Sequence, residues 1–377
     1  MHLKTLEIKN FRNYAAEQLE PGPSLNIIYG ENAQGKTNLL EAVYYLLSAV
    51  SHRTRKDREL IKWETNFLAL RGEVLFQEKE KKKLEVVYKN TKNKTVKLNG
   101  KNLTVDKYFA QFPVVIFYPQ DLYLVTGGPA ERRRFLNTLI TRINPSYYHH
   151  LINYYRALRQ RNNLLREMAT SKEEFKTWED LMATYGGKII VERTNFIKEL
   201  SDHASFFQEY FTSGKEKMEL VYKTVMDKVK NLNNVESWQG LEGESETEVK
   251  LSQLLERKRE EELKRGYTLV GPHLEDIKVM LNNREVKKFS SQGQKRTAVI
   301  SMKMAQSEIM LERKKEKPLL LMDDCFSELD PARGNQILDL INNRDLQCLV
   351  TSYEKLELPP KSEGYLFRVE GGTINSG

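Results

Sequence analysis

The stretch Gly30-Glu31-Asn32-Ala33-Gln34-Gly35-Lys36-Thr37 constrains the fold more than any other, because it fits the phosphate-binding spacing G-x-x-x-x-G-K-[ST]. Its surroundings support the match. Leu25-Asn26-Ile27-Ile28-Tyr29 reads as a short buried strand, and Asn38-Leu39-Leu40-Glu41-Ala42-Val43 continues as a helix. In that order two glycines turn the backbone tightly, and the N–H groups between Gly30 and Asn38 face phosphate oxygens. A helix opening near Lys36 adds the positive end of its dipole. Lys36 is placed to reach the β- and γ-phosphates of ATP, and the Thr37 hydroxyl to ligate Mg²⁺. A chance match in a glycine-containing turn would need neither the strand before nor the helix after.

Two later stretches extend this reading. Pro318-Leu319-Leu320-Leu321-Met322-Asp323-Asp324 is an apolar run ending in two carboxylates. An uninterrupted apolar run suits a strand buried on both faces of a parallel sheet, and its C-terminal end points at the ligand crevice. Asp323 is therefore a candidate Mg²⁺ ligand, and Asp324 a candidate for orienting the attacking water. Two solvated aspartates capping a core strand are the plain alternative, which the upstream phosphate loop disfavours. Ser290-Ser291-Gln292-Gly293-Gln294 precedes an apolar helical stretch from Ala298 to Met310. Serine at a helix start is an ordinary cap. As a functional element, Ser291, the Gly293 backbone and the helix start bind a γ-phosphate. Lys36 already serves the chain's own phosphates, so this second anion site would serve another subunit. Two protomers then sandwich two ATP molecules. Ser327-Glu328-Leu329-Asp330 would cross that interface, or cap a helix.

The rest of the chain sets the frame. At 377 residues it is long enough for two domains. A formal charge of +8 favours an anionic partner such as nucleic acid. Cys325 and Cys348 lie outside any metal-ligand spacing, which suggests a reducing compartment. His149-His150 lacks further ligands and reads as ordinary surface or core histidine. Without a signal-peptide pattern or a long apolar run, a cytoplasmic protein is expected, with no membrane partner.

Alternating strands dominate the first third, and Asn99-Gly100 marks a hairpin between Val96-Lys97-Leu98 and Leu103-Thr104-Val105. From Glu131 to about Gly266 the apolar spacing is helical, with Leu151, Leu158 and Leu165 at heptad intervals and a polar loop over Asn231 to Gly243. Strands return with Lys278 to Leu281, an Asn282-Asn283 turn, and Glu285 to Lys287. The expected architecture is an α/β P-loop ATPase head with an inserted, mainly helical second domain. Its expected limits are 1–118 and 267–377 for the head, and 119–266 for the helical lobe.

The phosphate loop, Ser-Ser-Gln-Gly-Gln and Asp-Asp-x-x-Ser-Glu-Leu-Asp, in this order, resemble the RecF family of bacterial recombination-repair ATPases. Asn10-Phe11-Arg12-Asn13-Tyr14, Gly127-Gly128-Pro129 with Arg132-Arg133-Arg134, Arg159-Gln160-Arg161-Asn162 and Gly271-Pro272-His273 strengthen the resemblance, which spans almost the whole chain. The resemblance implies an ABC-type head related to the SMC proteins. It implies an ATP-dependent homodimer that loads on DNA at gaps, single-strand/double-strand junctions or duplex. It also implies RecO and RecR as partners in loading recombinase. By position, Arg12 resembles the family's arginine near the nucleotide, and Gln120 would fill the Q-loop beside the Mg²⁺ site. Asp324 stands where many ABC ATPases place glutamate, and Leu349-Val350-Thr351-Ser352 lacks their phosphate-sensing histidine. Slow hydrolysis is expected, with Thr351 or Ser352 making a weaker contact.

Residues Glu131 to Met168 hold eight arginines against two glutamates, and arginine suits phosphate contact. Arg132, Arg133, Arg134, Arg159 and Arg161 are the DNA-binding candidates. Successive residues lie about 100° apart on a helix, so some of them must serve internal pairs or the subunit interface. The lysine-rich hairpin from Lys79 to Lys107 is a second candidate surface. A kinase-type phosphotransferase and a DNA-independent ABC ATPase fit the motifs less well, while an SMC-like ATPase with another DNA role stands as an alternative. An ATP-binding scaffold whose hydrolysis is not needed for DNA release is the nearest alternative.

Overall fold

Apolar runs build the first sheet. In the computed structural model, which describes residues 1–77, 80–91, 94–168, 171–224, 243–326, 331–355 and 364–376, Leu319–Met322 is buried at every position. Side chains on both faces of that strand therefore need cover, which a parallel sheet flanked by helices supplies. It pairs in parallel with Val114–Phe117 on one side and Cys348–Ser352 on the other. Next comes the phosphate-loop strand Leu25–Tyr29, then Gly364–Glu370, both parallel. Thr373–Ser376 closes the edge antiparallel.

A second, antiparallel sheet runs in the order Tyr14–Leu19, His2–Phe11, Phe67–Leu75, Lys81–Lys89, Lys94–Leu98 and Lys101–Asn102. Alternation here is period two: Leu84, Val86 and Tyr88 are buried while Lys81, Lys83 and Lys89 are exposed. Between the sheets lies helix Lys36–Ser48, buried from Leu39 to its end. Its side chains share one core with Leu6, Leu70 and Val86 of one sheet and Ile28, Leu321 and Leu349 of the other. Helix Gln292–Lys314 covers the parallel sheet along Val114–Phe117, burying most of its middle from Thr297 to Met310.

These elements form one compact unit, residues 1–122, 210–214 and 292–377. Residues 123–209 and 215–291 form another, built on helices Pro129–Ile143, Pro145–Arg166, Lys172–Phe211 and Glu244–Arg265. Gly266, left-handed at φ 74°, ends the last of these, as its place in the sequence predicts. The expected lobe limits of 119–266 differ from this unit at both ends. Strand Asp276–Leu281 pairs with Met218–Lys223, inside the helical stretch, so the chain stays with this unit until Ser291. Nothing in the helical spacing announced Met218–Lys223.

The Asn99-Gly100 turn is present, both residues at positive φ, but its return strand is only Lys101–Asn102 and Val105–Phe109 is helical. Asn282-Asn283 likewise turns at positive φ, joining Asp276–Leu281 to Arg284–Glu285. The expected loop over 231–242 and the Ser327-Glu328-Leu329-Asp330 stretch lie outside the described residues. No described helix is long and apolar enough to cross a membrane.

Candidate nucleotide site and basic surfaces

The strand–loop–helix order expected around Gly30 is present, and the loop is held from three directions. Gly30 and Gly35 take φ of 151° and 118°, values that a side chain would strain, and Ala33 is left-handed at 64°. A Cβ on Gly30 would strike the Val369 carbonyl, and one on Gly35 the Asn13 amide. Asn13 Nδ2 donates to the Gln34 carbonyl at 3.0 Å, and the Tyr14 hydroxyl donates to the Gly35 carbonyl at 3.0 Å. From the other side, the Gly371 N–H donates to Gln34 Oε1 at 2.6 Å. Gln34 therefore serves the loop's own support. Asn38 Nδ2 donates to Asn13 Oδ1 rather than into the loop.

Lys36 Nζ folds over the loop, donating to the carbonyls of Gly30 and Glu31 at 2.6 and 2.7 Å. Burial lowers its pKa, while Asp324 and Asp323 pull the other way. Asp323 Oδ1 accepts from Thr37 Oγ1 at 2.8 Å and from Thr351 Oγ1 at 2.9 Å. Asp323 is buried, and desolvation raises its carboxyl pKa against the pull of those hydroxyls. A buried carboxylate beside a threonine hydroxyl is a hard-oxygen donor pair suited to Mg²⁺. Asp324, exposed and left-handed at φ 50°, is fixed by its N–H donating to Thr351 Oγ1 at 2.9 Å. The threonine expected to meet phosphate is thus buried and occupied with both aspartates. Ser352, half-buried, stays at the strand end.

Arg12 makes a two-pronged pair with Glu41, Nε to Oε2 at 2.9 Å and Nη2 to Oε1 at 3.0 Å, and its Nη1 donates to the Glu59 carbonyl. Glu41 is fully buried in the phosphate-loop helix and also accepts from Ser51 Oγ and Arg53 Nη1. Burial pushes its carboxyl upward, but these donors and the two guanidinium charges outweigh it and hold the pKa low. A glutamate inside Leu39-Leu40-Glu41-Ala42-Val43 was the visible signal of a buried ion pair.

Gln120 is exposed on the turn Pro119–Leu122, and its side chain makes no hydrogen bond to Thr37 or Asp323. Its neighbour Asp121 is the buried residue. Desolvation raises Asp121, and Lys303 Nζ from helix Gln292–Lys314 pairs with it at 2.8 Å while donating to the Ile116 carbonyl. Lys303 stands out in the sequence as a cation within an apolar helical run.

Ser290 and Ser291 directly precede helix Gln292–Lys314, and Ser291, Gln292 and Gly293 are exposed. Gln294 is half-buried on its first turn. A helix start at the surface carries the positive end of its dipole, which suits an anion.

The arginine candidates divide sharply. Arg161 is fully buried, donating to Glu179, Thr268 and the Leu255 carbonyl and pairing with Glu262. Arg132 is buried in a two-pronged pair with Asp276, at 2.7 and 2.9 Å. Both are removed from the DNA-contact set, because the lobe's own carboxylates claim their donors. Half-buried Arg133 donates to the Glu275 carbonyl. Arg134 and Arg159 are exposed, as are Arg156 and Arg166. The lysine-rich sheet is partly neutralised as well. Lys97 and Arg71 share Glu85, Lys83 pairs with Glu73, and Lys94 with Asp57.

Residues 2–364 match the family profile described as the RecF/RecN/SMC N terminal domain. The DNA replication and repair protein RecF of Natranaerobius thermophilus is 38% identical, covering 99% of this chain and 97% of its own. The protein of that name from Ligilactobacillus salivarius is 36% identical over 99% of this chain and 97% of its own. A solved structure of the recombination mediator protein RecF with ATP, from the RecFOR pathway, superposes with a TM-score of 0.89 at 33% identity. That match covers 100% of this chain and 97% of the other. An Smc head bound to the C-winged helix domain of ScpA matches at a TM-score of 0.57 and 14% identity, over 100% and 97% of the two chains, which shows shared fold.

Proposed function

The chain belongs to the RecF family within the RecF/RecN/SMC N-terminal-domain group, and on that premise we propose that it is an ATP-dependent DNA-binding protein of recombinational repair. It acts as an ATP-gated dimeric clamp on gapped, junction or duplex DNA, with RecO and RecR as partners in recombinase loading. The observation that carries the ATPase reading is the Thr37–Asp323–Thr351 cluster at the mouth of a buttressed phosphate loop.

Loop N–H groups and Lys36 bind the phosphates. Binding would transfer the Lys36 ammonium from the Gly30 and Glu31 carbonyls to phosphate oxygens. Thr37 and Asp323 are the residues that would hold Mg²⁺, which when bound neutralises charge developing on the phosphates. Asp324, backbone-anchored through Thr351, orients the attacking water. Its short side chain, and the lack of a histidine at the end of Cys348–Ser352, support slow turnover. The exposed Ser291-Gln292-Gly293 stretch at the helix start supplies the opposing copy with its γ-phosphate contact.

Mass in solution with and without Mg-ATP, with short duplex DNA added to each, tests the clamp. The expected result is a dimer only with ATP, and tighter DNA binding in that state. Lys36→Met should abolish the dimer, whereas Asp324→Asn should keep it but slow its decay. A monomer that still turns over ATP would reduce Ser291 to a helix cap and end the two-site reading.

A further inference from the structure

Trp63 is 92% exposed, the most extreme value among the exposed large apolar side chains described. Its surroundings keep it there. The Lys62 N–H donates to the Asn10 carbonyl at 2.9 Å, and Lys62 Nζ donates to the Asn13 carbonyl at 3.0 Å. On the other side of the ring's attachment, Thr65 Oγ1 donates back to the Lys62 carbonyl, and Glu64 between them is left-handed at φ 64°. Ile61 bridges to Phe11, and the Asn66 carbonyl accepts from the Asn90 N–H. The turn is pinned at both ends, so the indole has no route into the core.

The segment leading to it carries Arg55, Lys56, Arg58 and Lys62 against Asp57 and Glu59, with Asp57 neutralised by Lys94 and Glu64 following the ring. Arg55, Lys56 and Arg58 are exposed, and among the described residues only Lys56 of the three has an ion pair, a long one to Glu59. A flat ring, unpartnered among the described residues and within eight residues of Arg55, Lys56 and Arg58 along the chain, matches a ligand with flat apolar faces strung on an anionic chain. Unpaired nucleic acid has that chemistry: bases stack on aromatic rings, and phosphates meet guanidinium and ammonium groups. Base-paired DNA hides its base faces, so the ring would gain little from duplex.

We propose that the Trp63 turn is a stacking platform for an unpaired base of single-stranded DNA, with Arg55 and Arg58 contacting the flanking phosphates. This inference rests on the DNA-binding reading above and assigns it a strand-selective contact. The platform also has a physical link to the ATP site. Asn13 supports the turn through its carbonyl and the phosphate loop through its amide.

The test uses the full chain carrying Trp178→Phe and Trp238→Phe, which leaves Trp63 as the sole tryptophan of three. Oligo(dT) should quench its fluorescence. Trp63→Ala in the native chain should weaken oligo(dT) binding about tenfold, the scale of one lost stacking contact. Duplex affinity, Mg-ATP affinity and melting temperature should be unchanged, and Trp63→Tyr should restore much of the loss. Unchanged oligo(dT) affinity without quenching overturns the platform and leaves DNA binding intact. Quenching by ATP, with weakened ATP binding in Trp63→Ala, also overturns it and gives the ring to the adenine base. Absence of any DNA binding by the native chain would sink the platform and the DNA-binding reading together.

Discussion

His52 shows how one buried residue sets a condition on the ATPase unit. It stands edge-on between the rings of Tyr44 and Tyr118, and among the described residues neither ring nitrogen has a hydrogen-bond partner. Burial lowers its pKa to about 4, with Glu41 pulling upward and Arg53, Lys303 and Arg12 reinforcing the burial. The folded protein therefore resists protonating a ring that the unfolded chain protonates near 6.5. Stability from this source is complete above that value and is lost as pH falls toward 4. Between pH 7 and 5 the loss is about 2 kcal/mol. His52→Phe keeps an aromatic ring in place and should remove that slope from the unfolding of the ATPase unit, measured by denaturant titration at both pH values. An unchanged slope would mean that the ring titrates alike in the folded and unfolded chain. Nothing around Ser51-His52-Arg53 in the sequence distinguished this histidine from a surface one, because its burial comes from Tyr118, far along the chain.

At the scale of elements, the phosphate-loop helix carries the structural tension. Helix Lys36–Ser48 is buried almost all round, yet holds Glu41 in its middle. That carboxylate joins the helix to the Asn10–Tyr14 turn through Arg12, and to the following loop through Ser51 and Arg53. Removing one side of a buried pair leaves uncompensated charge, typically at a cost of 3–5 kcal/mol. Arg12 and Arg53 remain partly solvated, so Glu41→Gln should cost less, about 2–3 kcal/mol. The loss should appear in the unfolding of the ATPase unit, and ATP affinity should fall with it as the Asn13 support loosens. A variant with unchanged stability would show that Arg12 binds elsewhere. The helix itself was legible from glycines and apolar spacing. Its partner across the turn was not, since Arg12 and Glu41 lie 29 residues apart and no local pattern joins them.

At the scale of the whole molecule, the basic excess has two different uses. Arg132 and Arg161 hold the second unit together, whereas Arg134 and Arg159 are solvated. Arg161→Ala should destabilise that unit by about 3–5 kcal/mol, because Glu179 and Glu262 would remain buried without it. Arg134→Ala with Arg159→Ala should leave the melting temperature in place. For each arginine that contacts phosphate, the slope of log affinity for duplex against log salt should fall by about 0.9. If neither slope nor affinity changes, DNA meets another face.

The α/β head, the phosphate loop over residues 30–37 and the strand running into Asp323-Asp324 were readable from the residues alone, because these depend on short spacings that backbone geometry imposes locally. The Asp323-Asp324 pair could be read from one apolar run, and the Ser290–Gln294 motif from its place before a helix. Which charges pair internally depends on the folded chain. A helix period says that Arg132, Arg133 and Arg134 diverge, but the direction of the core selects the one that meets Asp276. The same holds for Thr351, whose hydroxyl looked free at a strand end and is committed to Asp323 and Asp324. Pairings between residues distant in sequence depend on how sheets and helices close on one another, and a linear pattern carries no record of that closure.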